Sequence, residues 1–316
     1  MQSSPNPSPE EFATCDQNAL AVEVASGSYQ YTLFDKTKQQ IRLVNLHPPR
    51  PATAVPHEQE IIRCDIETFN FESAPEYIAL SYTWGSPHDL QHIYIHDKPF
   101  IVRQNLFDFL HTFRSEAANK RHLWIDQLCI HQTAVDERNH QVRLMSQIYQ
   151  KFMFVIMWLG IAPVTQNQAT LLVAEPDVAT ARNLLQNRYF TRLRILQEIW
   201  LAPEVCVLCG KIWIPCNSIS GIVNELGTLR YLTESRTTQP KASRLKKSFP
   251  EESLFNIGKV TLRSAIWRFA SMQCEDPRDK VYGLLGFVND QERPRVNYSK
   301  PLYQLYCQTV NSVYQN

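Results

Sequence analysis

Two places in this 316-residue chain put polar side chains where an otherwise apolar run stops. The run Tyr77-Ile-Ala-Leu-Ser-Tyr is too apolar for a strand with one wet face, which predicts a strand in the centre of a sheet. It ends in Ser81, Tyr82, Thr83 and Trp84 before Gly85. A second buried strand, His122 to Asp126, is followed by Gln127, Cys129 and His131. Ligands of parallel α/β sheets gather beyond the carboxyl ends of strands. If these two strands are neighbours, the groups converge on one rim, where Trp84 offers a flat apolar face and Asp126 a carboxylate. The plainer alternative makes Asp126 a cap of the next turn and Trp84 rim packing.

Two helices add charge. From Glu137 onward Val142, Met145, Ile148, Tyr149 and Phe152 share one side, and this stripe extends back onto Arg138 and Gln141. An arginine on a core-facing side needs a carboxylate, and Asp126 and Asp136 are the candidates, as a structural ion pair or as part of a ligand clamp. On a helix spanning Tyr189 to Leu201, apolar residues cover more than half the circumference. They leave a polar stripe of Thr191, Arg194 and Glu198. An enclosed carboxylate is a functional candidate, because burial and neighbouring charge tune it. The competing account is a surface Arg194–Glu198 pair at i, i+4, which does nothing.

The elements that must hold these groups alternate strand, helix, strand, helix, strand from Glu76 to Leu159, the pattern of a parallel α/β sheet. Asn105 to Arg114 reads as a helix and Phe154 to Leu159 as a buried strand. Before them, Tyr29–Phe34 and Ile41–Leu46 resemble an N-terminal hairpin, broken afterwards by Pro48, Pro49 and Pro51. After them come helical segments near Asp177–Asn187 and Tyr189–Leu201, a hairpin from Val205 to Ile214, and a mostly helical remainder with Ser253–Met272 and Pro301–Tyr314. Residues 1–25 form a Pro- and Ser-rich flexible leader, 26–75 N-terminal strands, 76–215 the main domain and 216–316 a helical extension. Thr233–Pro250 within that extension is an exposed loop.

Composition narrows the field. Hydrophobic residues at 44% and charged residues at 20% are those of a globular protein. A net charge of +1 gives no global field to hold nucleic acid or acidic lipid. The 9 glycines form neither common phosphate cradle, so a standard Rossmann dehydrogenase or P-loop NTPase is excluded at the motif level. A polar start without an apolar core is no secretory signal, and Phe152–Leu159 is too short to cross a bilayer, which implies a cytoplasmic protein with no membrane span. Its 8 cysteines are then reduced thiols, and the Asn297-Tyr-Ser sequon is irrelevant. Cys206, Cys209 and Cys216 lack the second knuckle that zinc needs, and His88, His92 and His96 fit a solvated sheet face, so no metal is expected.

Taken in order, several segments resemble the successive signatures of the fungal heterokaryon-incompatibility (HET) domain. They are Tyr77–Gly85, Leu123–Gln132, Glu137-Arg138 with Gln141, Met145 and Ile148-Tyr149, Trp158–Gly160, and Arg192 with Leu196-Gln-Glu198. Asp276-Pro-Arg-Asp-Lys-Val-Tyr-Gly-Leu-Leu-Gly286 is similar to a segment often found downstream. The resemblance implies non-self recognition that ends in growth arrest or cell death, through self-association or other signalling proteins. It also implies a distantly TIR-like fold: a parallel-sheet core flanked by helices, with an N-terminal β-hairpin and a mostly helical C-terminal extension. Several TIR domains cleave NAD at the nicotinamide–ribose bond with one glutamate, so the resemblance implies Glu198 as the catalytic residue of an NAD nucleosidase. Ser81, Tyr82, Trp84, Asp126 and Arg138 would bind the substrate, with NAD as substrate and no cofactor. That mechanism requires Glu198 ionised at the mouth of a pocket wide enough for a dinucleotide. Two residues depart from the family pattern. Arg194 replaces a tryptophan and either neutralises Glu198 or competes with the sugar, while His131 replaces an asparagine. A non-catalytic interaction module with a degenerate site is the reading from a different class.

Overall fold

All six residues of Tyr77–Tyr82 are buried in β3, which has a strand on each side, so the continuous apolar run reflects two covered faces. The computed structural model describes residues 27–35, 37–51, 60–175, 177–215 and 260–314. In chain order the strands are β1 (Gln40–Leu46), β2 (Arg63–Asn70), β3 (Tyr77–Tyr82), β4 (Leu90–Ile95), β5 (Lys98–Arg103), β6 (His122–Trp124), β7 (Val155–Trp158), β8 (Val205–Cys209) and β9 (Ile212–Pro215). They form one nine-stranded sheet in the order β5-β4-β2-β1-β6-β3-β7-β8-β9. Its centre is parallel: β6, β3, β7 and β8 run the same way, with Ile78 beside Leu123, Leu80 beside Ile156 and Met157 beside Val207. The two strands that carry the polar ends are therefore neighbours, and the α/β class is as the sequence predicts.

The helices are α1 (Gln104–Phe113), the single turn α2 (Asp126–Cys129), α3 (Val135–Lys151), α4 (Pro163–Ala174), α5 (Val178–Leu184), α6 (Ile195–Trp200), α7 (Leu262–Phe269), the short α8 (Asp279–Tyr282) and α9 (Leu302–Tyr314). Helix α1 buries Leu106, Phe109, Leu110 and Phe113, a stripe at i, i+3, i+4 and i+7. Helix α3 buries Gln141, Leu144, Met145, Ile148 and Tyr149. Beneath them lie the fully enclosed rings of Trp124 and Trp158, each meeting an aromatic ring edge-on, Tyr149 at 5.5 Å and Phe109 at 5.6 Å. The β4–β5 hairpin turns on His96 and Asp97, whose φ of 50° and 57° match the two-residue turn that follows strand twist. His92 and His96 lie on its exposed side and Ile93 and Ile95 on the buried side, as the alternation predicts.

Two local expectations change. The N-terminal antiparallel pair exists, but its arms are β1 and β2, with Val44 opposite Ile66. Tyr29–Phe34 is not a strand. It lies over buried Arg42, whose guanidinium stacks on Phe34 at 3.9 Å and Tyr31 at 4.9 Å and donates to the Thr32 carbonyl at 2.6 Å. Satisfying that cation outweighs the segment's own alternation. The predicted Tyr189–Leu201 helix is likewise broken into a 3₁₀ turn, Arg188–Thr191, and α6. Between them Leu193 donates its N–H to the Gln273 carbonyl at 2.7 Å, and Gln273 donates to Thr191 at 2.7 Å. A tertiary backbone partner replaces the helical one. Residues 1–25, the Thr233–Pro250 loop, Cys216 and the first part of Ser253–Met272 lie outside the described residues.

Candidate functional site

Adjacent parallel strands β3 and β6 end on the same rim, and α6 crosses it. Ser81, in β3, donates its hydroxyl proton to the Glu198 carboxyl of α6, and Tyr189 supplies the next hydroxyl, bonded to Ser81 Oγ. All three are buried, Glu198 with 3% of its surface exposed. Burial lifts the Glu198 carboxyl above its ordinary pKa, while nearby Arg192 and the Ser81 hydrogen bond pull it back down. Arg192 itself donates to the Tyr82 carbonyl.

The second group surrounds Asp126. Its carboxylate accepts from Trp84 Nε1 at 2.9 Å and from the Gln127 N–H at 2.8 Å; it is the first residue of α2, whose N-cap is Ile125, so it is not the cap of that turn. Tyr82 donates to Gln127 Oε1 at 3.1 Å, and burial pushes its phenol pKa well up. The face of Trp84 is taken by Arg103, whose guanidinium lies 5.1 Å from the ring centre and bonds the Gly85 carbonyl at 3.0 Å. Asn105 fastens the loop, donating to the Thr83 carbonyl at 2.5 Å and accepting from Trp158 at 3.0 Å. Gly85, at φ +81°, makes the turn above it in a conformation that favours glycine.

The six expected site residues thus fall into contact groups. Ser81 with Glu198 is one, and Tyr82, Trp84 and Asp126 form another through Gln127. Arg138 stands apart from both. Neither Asp126 nor Asp136 is its partner: it donates to Asp276 at 2.9 Å and stacks on Tyr298 at 3.7 Å. Residue types near Arg138 in sequence could not reveal a partner 138 positions away. Arg194 is not the partner of Glu198 in a surface pair. Its guanidinium grips both oxygens of Asp279, at 3.0 and 3.1 Å, and reaches the Tyr298 hydroxyl at 3.1 Å. His131 stacks on Tyr31 at 4.7 Å, and burial lowers its pKa.

Tyr189, Arg192, Arg103 and Asn105 are members of the site that residue patterning missed. Arg192 had a signal, its place in the quoted motif, whereas the others carry none. A groove of about 1010 Å³ lies elsewhere, lined by Leu33, Phe34, Val135, His140, Arg143 and Lys300 among others, and Glu198 does not border it. Among the described residues no group of three His, Cys, Asp or Glu side chains is placed to hold a metal ion, and no helix is long and apolar enough to cross a membrane.

The residues that build this rim coincide with a family match. The family described as heterokaryon incompatibility protein (HET) matches residues 77–198, from the first residue of β3 to Glu198. Residues 77–198 are a HET domain. The chain as a whole is similar to heterokaryon incompatibility protein 6, OR allele, of Neurospora crassa, at 26% identity over 371 aligned residues. That alignment covers 91% of this chain and 54% of the relative, so the chain spans about half the length of the curated protein it matches. No solved structure matches it. Ser81, Trp84, Asp126, Arg138 and Arg194 all lie within the HET domain, while Asp276, Asp279 and Tyr298 lie beyond it.

Proposed function

We propose that this HET-domain chain acts in heterokaryon incompatibility, as a fungal non-self-recognition module whose activation arrests growth. The observation that carries the reading is that the HET match covers the rim of β3, β6 and α6 while the similarity to the Neurospora protein extends over nearly the whole chain. Expression in fungal hyphae from an inducible promoter, with the chain fused to a chemical dimeriser, tests it. Arrest on dimerisation is the expected outcome, and unchanged growth at equal protein level overturns the reading.

The finer reading is cleavage of NAD at the nicotinamide–ribose bond by clustered protein, with Glu198 as the catalytic carboxylate. Departure of neutral nicotinamide needs no general acid, and oxocarbenium charge on the ribose is stabilised by one ionised carboxylate. Burial is the larger effect and raises the Glu198 pKa in the resting structure, while Arg192 and the Ser81 hydroxyl oppose it and would favour the ionised form once the rim is open to water. Ser81 orients Glu198, Asp126 accepts a ribose hydroxyl, Arg138 holds a phosphate, and the base stacks on Trp84 in the place Arg103 occupies at rest, since the Tyr82 phenol is enclosed. The requirement for an ionised carboxylate at a pocket mouth is not met in the resting structure, where Glu198 is buried and does not border the groove, so turnover is expected only when clustering opens the rim. Nicotinamide release by dimerised protein should fall by roughly a hundredfold or more in Glu198→Ala, the scale of losing a preorganised charge partner. Equal rates in the two proteins would leave a non-catalytic interaction module as the function.

A further inference from the structure

Three arginines of the HET domain are held by acids outside it, all within five positions of one another. Arg103 pairs with Glu275 at 2.7 Å, Arg138 with Asp276 at 2.9 Å and Arg194 with Asp279 at 3.0 Å. The last two pairs share Tyr298: Arg138 lies over its ring, Arg194 reaches its hydroxyl, and that hydroxyl donates to Asp279. Asp276 also takes Arg278 of its own segment at 3.0 Å. The acidic stretch therefore lies across the rim as a strap. The chain behind it packs on α6, with Gly286 so near Gln197 that a Cβ there would sit 3.2 Å from its amide.

The three pairs are graded. Side-chain exposure of the acids falls from 59% at Glu275 to 15% at Asp276 and 6% at Asp279. A pair with one largely exposed member contributes little, whereas a buried bidentate pair is costly to break. Asp279 is thus the anchor, and Glu275 is the end that lifts first. Lifting it bares Arg103, which lies beside Trp84 and bonds the Gly85 carbonyl just past the carboxyl end of β3, the side on which parallel sheets bind ligands, and then Arg138 of α3, whose acid is the next residue of the strap. A guanidinium that forks a carboxylate forks a phosphate in the same geometry.

We propose that Glu275 and Asp276 are internal occupants of a phosphate site formed by Arg103 and Arg138, and that the strap keeps a phosphate-bearing nucleotide off the rim until it is lifted. The proposal deepens the nucleotide reading above and rests on the same rim, but its test needs no turnover. The probe is inorganic pyrophosphate, titrated calorimetrically into the full chain. Glu275→Gln with Asp276→Asn, which leaves the Arg194–Asp279 anchor in place, should bind pyrophosphate about tenfold more tightly than the unsubstituted chain, the scale of one charge-assisted hydrogen bond. Adding Arg138→Gln should abolish the gain. Glu275→Gln alone, at a mostly exposed side chain, should gain about threefold by the same arithmetic and serves if the double variant does not fold. No gain in either variant, or a gain that survives Arg138→Gln, overturns the proposal. Tighter pyrophosphate binding without nicotinamide release would leave the strap in place and remove the catalytic role of Glu198.

Discussion

Glu198 illustrates how one carboxyl can be held between two tasks. Its burial favours the protonated form, and Arg192 with Ser81 favours the ionised one, with burial the larger effect. A folded-state pKa raised above the ordinary 4.5 means that the native state binds the proton more tightly than the unfolded chain. The resulting stability is fully present below the unfolded value and is lost as pH climbs through the folded one. Glu198→Gln, which keeps the shape and the acceptor for Ser81 but cannot ionise, should lack this loss. Urea denaturation between acid and neutral pH should therefore show the variant gaining on the parent as pH rises. Parallel curves would mean that the carboxyl is not desolvated in solution.

At the level of elements, the sheet is tied to its helices by charge as well as by packing. Arg42 of β1 meets Glu137 of α3 with contacts at 2.6 and 3.0 Å, and both side chains are buried. The same Glu137 oxygen that takes Arg42 Nη1 also accepts the His131 N–H at 2.7 Å, so one carboxylate joins β1, α3 and the loop after α2. Glu137→Ala should cost about 3–5 kcal/mol, because it strands a guanidinium inside the protein. The double variant Arg42→Met, Glu137→Gln removes the stranded charge and keeps an acceptor for His131. It should lose less than the single change in chemical denaturation, and a double variant that loses more would show that the pair, not the isolated charge, dominates. The HET resemblance marked Glu137, but its buried partner 95 positions earlier had no marker in the sequence.

The whole molecule is closed by residues beyond the HET domain. Asp279 sits in the extension, yet it neutralises Arg194, one turn from Glu198: burial by itself would lower the Arg194 pKa, and the Asp279 carboxylate with Tyr298 beside it holds it well up instead. Asp279→Ala should accordingly lower the stability of the sheet itself by about 3–5 kcal/mol, although the substitution lies outside the sheet. Tryptophan fluorescence reads this directly, since Trp124 and Trp158 are buried in β6 and β7. A single cooperative transition at lower denaturant is expected. An unchanged sheet transition with a separate early one would mean that the extension unfolds on its own.

Local pattern alone determined the parallel α/β class, the central place of Tyr77–Tyr82, the helices α1 and α3, the polar strand ends that carry Ser81 and Asp126, and Glu198 as a carboxylate on a mostly enclosed segment. Those features follow from periodicity and from which strands can be covered on both faces, and neighbours in sequence report them. Pairings at long range were left to the tertiary structure: Arg138 to Asp276 instead of Asp126, Arg194 to Asp279 instead of Glu198, Tyr29–Phe34 over Arg42 instead of against β1, and the break between the 3₁₀ turn and α6. A buried charge takes whichever opposite charge the fold delivers to it, and that delivery depends on how distant segments pack. The spacing of residues along one element holds no record of it.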